Sequence, residues 1–386
     1  MKPLSIYIHI PFCIKKCYYC DFLSAPADNL VQEEYLRALR EEIFTAAKKY
    51  SDYTVQTIFI GGGTPTAIKA EDICDLLHVI NTSFSIAEDA EISIESNPGT
   101  VTKQALILYK KAGINRLSIG LQSAQDKELK LLGRIHDYKY FLKTYSMAVE
   151  AGFTNINIDL MSALPGQKAV DYKETLKKVM ALSPRPSHIS AYSLIIEEGT
   201  AFYDLYAEER DAMAHTGEKQ AHLPSEEEER QMYLLTNQIL QDVGYHRYEI
   251  SNYSLPGYEC RHNKVYWQRG DYVGFGLGAS SLVENNRFEN IKDLQLYINN
   301  NDKISKSVPL SKKEQMEEFM FLGLRLTQGV EKEEFSKNFG VSMEEIYGNV
   351  IRKNIQAELM MDGTFVYLTK NGLDLSNYVM SQFLLD

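Results

Sequence analysis

The feature that most constrains this chain is a strand–helix alternation repeated about six times across its first half. Residues 4–10 (LSIYIHI), 54–60 (TVQTIFI), 90–96 (AEISIES), 115–121 (NRLSIGL), 155–161 (NINIDLM) and 187–194 (SHISAYSL) read as strands. Between them, residues 31–50, 71–84, 102–112, 138–151 and 170–182 carry apolar positions at helical spacing. Strands joined through helices by short connections imply a parallel sheet with right-handed crossovers. Such sheets place chemistry at the C-terminal ends of their strands. The polar and glycine-rich segments fall there: a cysteine loop after residue 10, GGGTP at 61–65, ESNP at 95–98, GLQS at 120–123 and DLMSALPG at 159–166. Both an open, incomplete barrel and a doubly wound sheet fit this pattern.

The regularity stops near residue 196. Residues 200–242 are charged and helical by pattern, and the acidic run from Glu226 to Glu229 reads as a solvated helix start. Residues 245–290, rich in tyrosine, asparagine and glycine, read as irregular strands and turns on the main sheet. From Ser311, an expected helix cap, an amphipathic helix opens a further segment of helices and a short hairpin. The expected division is residues 1–200 as the barrel, 201–305 as accessory helices and irregular strands extending it, and 306–386 as a small helical or winged-helix-like domain.

A chain of 386 residues with 44% hydrophobic composition can bury a large core. Its formal net charge of −11 argues against a broad nucleic-acid surface, and the last segment is not basic, so no nucleic-acid partner is expected. No apolar run has the length of a membrane span, and the first residues lack a secretory pattern, which together lead to the expectation of a cytoplasmic protein.

Three of the five cysteines, Cys13, Cys17 and Cys20, crowd into CIKKCYYC. In a cytosolic chain such clustering suits a metal better than disulfides. Thiolates bind both iron–sulfur clusters and zinc, and a structural zinc needs a fourth protein ligand, for which His9 is the nearest candidate. Three thiolates on a [4Fe-4S] cluster leave one iron open.

The Cys-x3-Cys-x2-Cys spacing resembles the signature of radical S-adenosylmethionine (SAM) proteins, and Gly61 to Pro65 resembles their glycine-rich motif. More closely, YIHIPFC (7–13), GGGTPT (61–66), GLQS (120–123), LGRIH (132–136) and HNKVYW (262–267) resemble the branch that contains the oxygen-independent coproporphyrinogen III oxidases. The resemblance spans nearly the whole chain. It implies an α/β fold, an incomplete parallel (β/α)6 TIM-like barrel of the radical SAM type. It also implies a [4Fe-4S] cluster whose open iron chelates S-adenosylmethionine, with reductive carbon–sulfur cleavage giving a 5′-deoxyadenosyl radical. By the same resemblance Tyr7 lies near the cluster and Tyr19 packs on the adenine. Gly62, Gly63 and Thr64 approach the methionyl amino group, and Glu95, Gln122, Arg134 and Asp159 line the cofactor site. His136 is a further candidate there.

Within this branch the oxidases resemble Cys-x3-Cys-x2-Cys-x-Cys, whereas Phe22 stands at that last position here. Twelve residues precede Cys13, fewer than the oxidases carry. Both departures resemble the HemW-like haem chaperones. That resemblance implies haem as cargo, an acceptor haemoprotein as partner (a membrane-associated one included), and His262 in HNKVYW as the axial haem ligand. The alternative on the same scaffold is an oxidase acting on a porphyrinogen, which would add an electron donor. The oligomeric state is left open, a homodimer included.

Overall fold

In the computed structural model, residues 1–217 and 220–385 are described. Six strands, β1 (Lys2–Ile10), β2 (Tyr53–Gly62), β3 (Ile86–Ser96), β4 (Arg116–Gln122), β5 (Asn155–Ser162) and β6 (His188–Ser193), pair in parallel in their order along the chain. Sequential order is that of a (β/α) barrel; a doubly wound sheet reverses at a switch point. Leu4, Ile6, Ile8 and Ile10 of β1 are all buried, as expected of a strand covered on both faces. The first crossover helix, Asn29–Ala47, starts where the Asp28 carboxylate accepts from the Val31 amide, and it buries Tyr35, Leu36, Leu39 and Ile43 along one stripe.

The later strands complete a twelve-stranded sheet whose ends stay apart. Beyond β6 lie β7 (His246–Arg247) and β8 (Asn252–Ser254), with β8 antiparallel to β6. Beyond β1 lie β9 (Tyr272–Phe275), β10 (Ser280–Val283), β11 (Asn286–Asn290) and β12 (Ile304–Pro309). Strand β9 pairs with β1 in parallel, Ser5–Ile8 against Tyr272–Phe275. The barrel is therefore incomplete and extended at both edges.

Three elements differ from the sequence reading. HNKVYW lies in a helix, Arg261–Trp267, because the Glu91 carboxylate of β3 accepts from the Arg261 and His262 amides and so satisfies two orphan donors of its first turn. Strand β9 adds a seventh parallel neighbour, and β12 lies in a stretch whose pattern carried no strand signal because all six of its residues are exposed.

The C-terminal region has its own core of Phe319, Phe335, Phe339, Met343, Tyr347 and neighbours. Ser311 caps helix Lys312–Gly323 through a capping box with Glu314. Helices Lys332–Phe339 and Met343–Gln356 follow. The strands β13 (Val330–Glu331), β14 (Met360–Asp362) and β15 (Phe365–Leu368) form a small antiparallel sheet with β15 central. Among the described residues no helix is long and apolar enough to cross a membrane.

Candidate functional site

At the C-terminal ends of β1 to β5 lies a cleft open to solvent. Its walls bring together Cys13, Cys17, Tyr19, Cys20, Gly62, Gly63, Thr64, Glu95, Gln122, Arg134 and Asp159, residues spread over about 150 positions of sequence. Short backbone bonds fix the cysteine loop over the barrel. Gly63 and Thr64 donate amides to the Ile10 and Phe12 carbonyls at 2.8 Å, Cys13 donates to Ala25, and Tyr18 donates to Leu132. His9 ties the loop's far end to β1: its Nε2 lies 2.9 Å from the Leu23 carbonyl and its Nδ1 lies 3.0 Å from the Tyr7 hydroxyl.

The glycines at 62 and 63 have local causes. Gly62 sits at φ +112°, and a Cβ there would stand 2.6 Å from the His9 ring. A Cβ on Gly63 would stand 2.7 Å from the Phe12 carbonyl oxygen and 3.0 Å from Cys13 Sγ. Gln122 adopts φ +69° where the β4–β5 register slips between Gly120 and Gln122. A non-glycine residue in the left-handed region beside a bulge is the kind of strain that collects at binding sites.

The cleft is electrically divided. Its floor carries two half-buried carboxyls. Burial, with Asp159 beside it, pushes Glu95 up to about 8, while the Gly62 amide, 3.1 Å from Oε2, opposes the shift. Burial likewise raises Asp159 against donation from Asn157 (2.8 Å) and Ser118 (3.1 Å). Opposite stands Arg134, whose guanidinium donates to the Gly120 carbonyl at 2.6 Å and reaches Cys17 Sγ at 3.6 Å and the Tyr19 hydroxyl at 3.5 Å. Lys15 and Lys16 add positive charge at the mouth. A zwitterionic ligand with ammonium, hydroxyl and carboxylate groups suits such a division.

Burial pushes the Cys20 thiol up to about 11. Among the described residues no three Cys, His, Asp or Glu side chains converge as ligands of a single ion would. A four-iron cluster does not require such convergence, because it offers each thiolate its own iron. Three half-buried soft donors around one polar cleft suit that group.

Two expected residues do not line the cleft. Tyr7 lies one layer down the barrel, its ring stacked on Phe59. His262 lies deeper still. It is buried, stacked on Phe59 at 5.1 Å, with Nδ1 2.7 Å from the Thr57 hydroxyl and Nε2 2.8 Å from the Tyr266 hydroxyl. Both ring nitrogens are engaged, so the expectation of a haem-ligating His262 is not met by this arrangement. His136 borders a smaller side pocket that shares Cys17, Thr64, Asn97 and Arg134 with the cleft.

The sequence reading missed Asn97, Ser118 and Asn157 as members of the site. For Asn97 a signal existed. Asn-Pro-Gly-Thr, with proline at the second position and glycine at the third, is the signature of a type II turn. Here Thr100 donates to the Asn97 carbonyl and Gly99 has φ +86°. Asn157 and Ser118 look like ordinary strand residues; Asn157 shares the Asp159 face of β5, and the β4–β5 register sets Ser118 opposite Asn157.

Comparisons with known proteins agree with this architecture. Residues 7–179 match the Radical SAM superfamily and residues 310–375 match the HemN C-terminal domain. The chain is 37% identical to the heme chaperone HemW of Bacillus subtilis over 98% of its own length and 99% of that protein. It is 36% identical to the heme chaperone HemW of Lactococcus lactis, over 100% of this chain and 98% of the relative. Among solved structures, coproporphyrinogen III oxidase (HemN) from Escherichia coli superposes with a TM-score of 0.84 at 24% identity, over 99% of this chain and 90% of that one. At that identity the likeness speaks for the fold alone.

Proposed function

This chain belongs to the HemW-like branch of the radical SAM family, and we propose that it is a haem chaperone that carries a [4Fe-4S] cluster and S-adenosylmethionine and passes haem to an acceptor protein. The observation that carries the reading is the cleft itself, where three thiols meet a glycine ledge, a guanidinium and a pair of half-buried carboxyls. Cys13, Cys17 and Cys20 would hold the cluster. Glu95 and Asp159 would receive the ammonium and ribose hydroxyls of S-adenosylmethionine, and Arg134 its carboxylate. When bound, the cluster supplies an electron for reductive cleavage of a sulfonium.

Haem is the cargo. Ile14 and Phe22 are more than half exposed and Ile135 is half exposed, and all three border the cleft and its side pocket. An apolar rim flanked by Lys15 and Lys16 suits an apolar macrocycle that bears carboxylates. Phe22 supplies an apolar ring where the oxidase pattern resembled here has a further thiol.

The test is anaerobic. Reconstituted protein is expected to hold four irons and four sulfides, to lose them in Cys13→Ala, Cys17→Ala or Cys20→Ala, and to bind haem and release it to a haem-free acceptor. Conversion of coproporphyrinogen III to protoporphyrinogen by the reduced protein with S-adenosylmethionine would replace this reading with that of an oxidase.

A further inference from the structure

We propose that Asn97 is a positioning residue that sets the reduction potential of the cluster by directing hydrogen bonds onto two of its three thiolates. The inference rests on the cluster reading above.

Asn97 stands between two donors. Its Nδ2 donates to the Thr64 hydroxyl at 2.8 Å, and that hydroxyl donates to Cys13 Sγ at 3.4 Å. Its Oδ1 accepts from one terminal nitrogen of Arg134, whose other terminal nitrogen donates to Cys17 Sγ at 3.6 Å. The amide orientation is determined by its partners, since guanidinium can only donate and a hydroxyl that gives its proton to sulfur must accept. The Thr64 hydroxyl has a single proton. With a lone pair occupied by Asn97, that proton is turned toward Cys13.

Asn97 is itself held. The type II turn fixes its backbone, and the Thr100 hydroxyl bonds both the Asn97 carbonyl (2.7 Å) and Thr66 (2.6 Å). Gly120 leaves room for the side chain, because a Cβ there would stand 2.8 Å from Asn97 Oδ1. One short side chain at the end of β3 thus links loops on both sides of the cleft and ends on Cys13 and Cys17. Hydrogen bonds to cluster sulfurs stabilise the added negative charge of the reduced state and raise the potential.

The experiment is an EPR-monitored redox titration of the reconstituted full-length protein without S-adenosylmethionine. Asn97→Ala is expected to keep four irons and shift the midpoint to more negative values. Thr64→Val, which removes the Cys13 donor, should shift it the same way. In the double variant the two shifts should sum to less than their separate values, because Asn97 acts on Cys13 only through Thr64. A wild-type midpoint in Asn97→Ala at full cluster occupancy, or strict additivity in the double variant, overturns the proposal. If Asn97→Ala fails to load a cluster, Thr64→Val decides: an unchanged midpoint at full occupancy overturns it. Failure of the wild-type protein to take up iron and sulfide would instead remove the cluster reading, which separates the two failures.

Discussion

Glu95 keeps its proton to about pH 8 because burial, with the Asp159 carboxyl beside it, opposes ionisation. In the unfolded chain the same group ionises near its ordinary value of about 4.3. Its folded value is raised, so its contribution to stability is complete below the unfolded value and declines as the pH rises toward 8. Glu95→Gln keeps an acceptor for the Gly62 amide and removes the ionisation. We expect urea unfolding to show a shallower loss of stability between pH 5 and pH 8 in this variant, with a gain on the order of 4 kcal/mol at the upper end as a ceiling. Equal slopes in both proteins would refute that assignment. His262 gives a second test at this scale. Truncation to alanine removes two hydrogen bonds and a buried ring, and is expected to destabilise by about 2–4 kcal/mol while leaving the haem absorption spectrum unchanged. Loss of haem binding in a folded His262→Ala protein would restore it as a ligand. The cysteines, glycines and charged residues of the cleft were legible as types at loop positions. The burial of His262 was not, because a histidine before tyrosine and tryptophan reads the same on a strand, in a pocket or under a helix.

Among elements, the βα units declared themselves through periodicity, and their boundaries moved by only a few residues. Helix Arg261–Trp267 did not. Seven residues hold too few turns to show a period, and Glu91, the carboxylate that satisfies its first turn, lies on β3. Strand β12 was hidden for a different reason: with every residue exposed it has no inward face to alternate with. The ledge Gly61–Thr64 joins the end of β2 to the cysteine loop through two short amide bonds. A Cβ at Gly63 would press on the Phe12 carbonyl and on Cys13 Sγ. Gly63→Ala is therefore expected to retain its far-UV circular dichroism but to take up several-fold less iron and sulfide on reconstitution. Full loading would show that the loop can give way at no consequence.

At the scale of the whole molecule, the barrel and the C-terminal region meet through the packing of Ile250 on the C-terminal core, a backbone bridge between Glu249 and Leu326, and several polar contacts. Glu249 has a fully buried side chain; it accepts from the Ser251 amide at 2.7 Å and faces Arg325 at 3.4 Å. Arg325 also lies 4.2 Å over the Trp267 ring, and Glu318 joins Arg269 and Arg287, each at 3.0 Å. Arg325→Ala would leave Glu249 buried without its cation. It is expected to lower stability by about 2 kcal/mol, visible as a lower Tm, with cluster content unchanged. An unaltered Tm would mean that the bonds Glu249 accepts from the Ser251 amide and from Asn252 Nδ2, the latter at 2.6 Å, suffice.

The pairing of β9 with β1 also has a meaning in time. One of the two strands that neighbour Ser5–Ile8, Tyr272–Phe275, is synthesised more than 260 residues after them. Until then β1 is a sheet edge with open backbone donors and acceptors, and the cysteine loop hangs from its end. The glycine turn that follows β9 packs against that same loop, since a Cβ at Gly278 would touch Leu23 and one at Gly276 would touch the His9 carbonyl. The cysteine loop therefore receives its complete surroundings only once the β9 segment has been made, and on the proposed reading the insertion of iron and sulfide would follow that step.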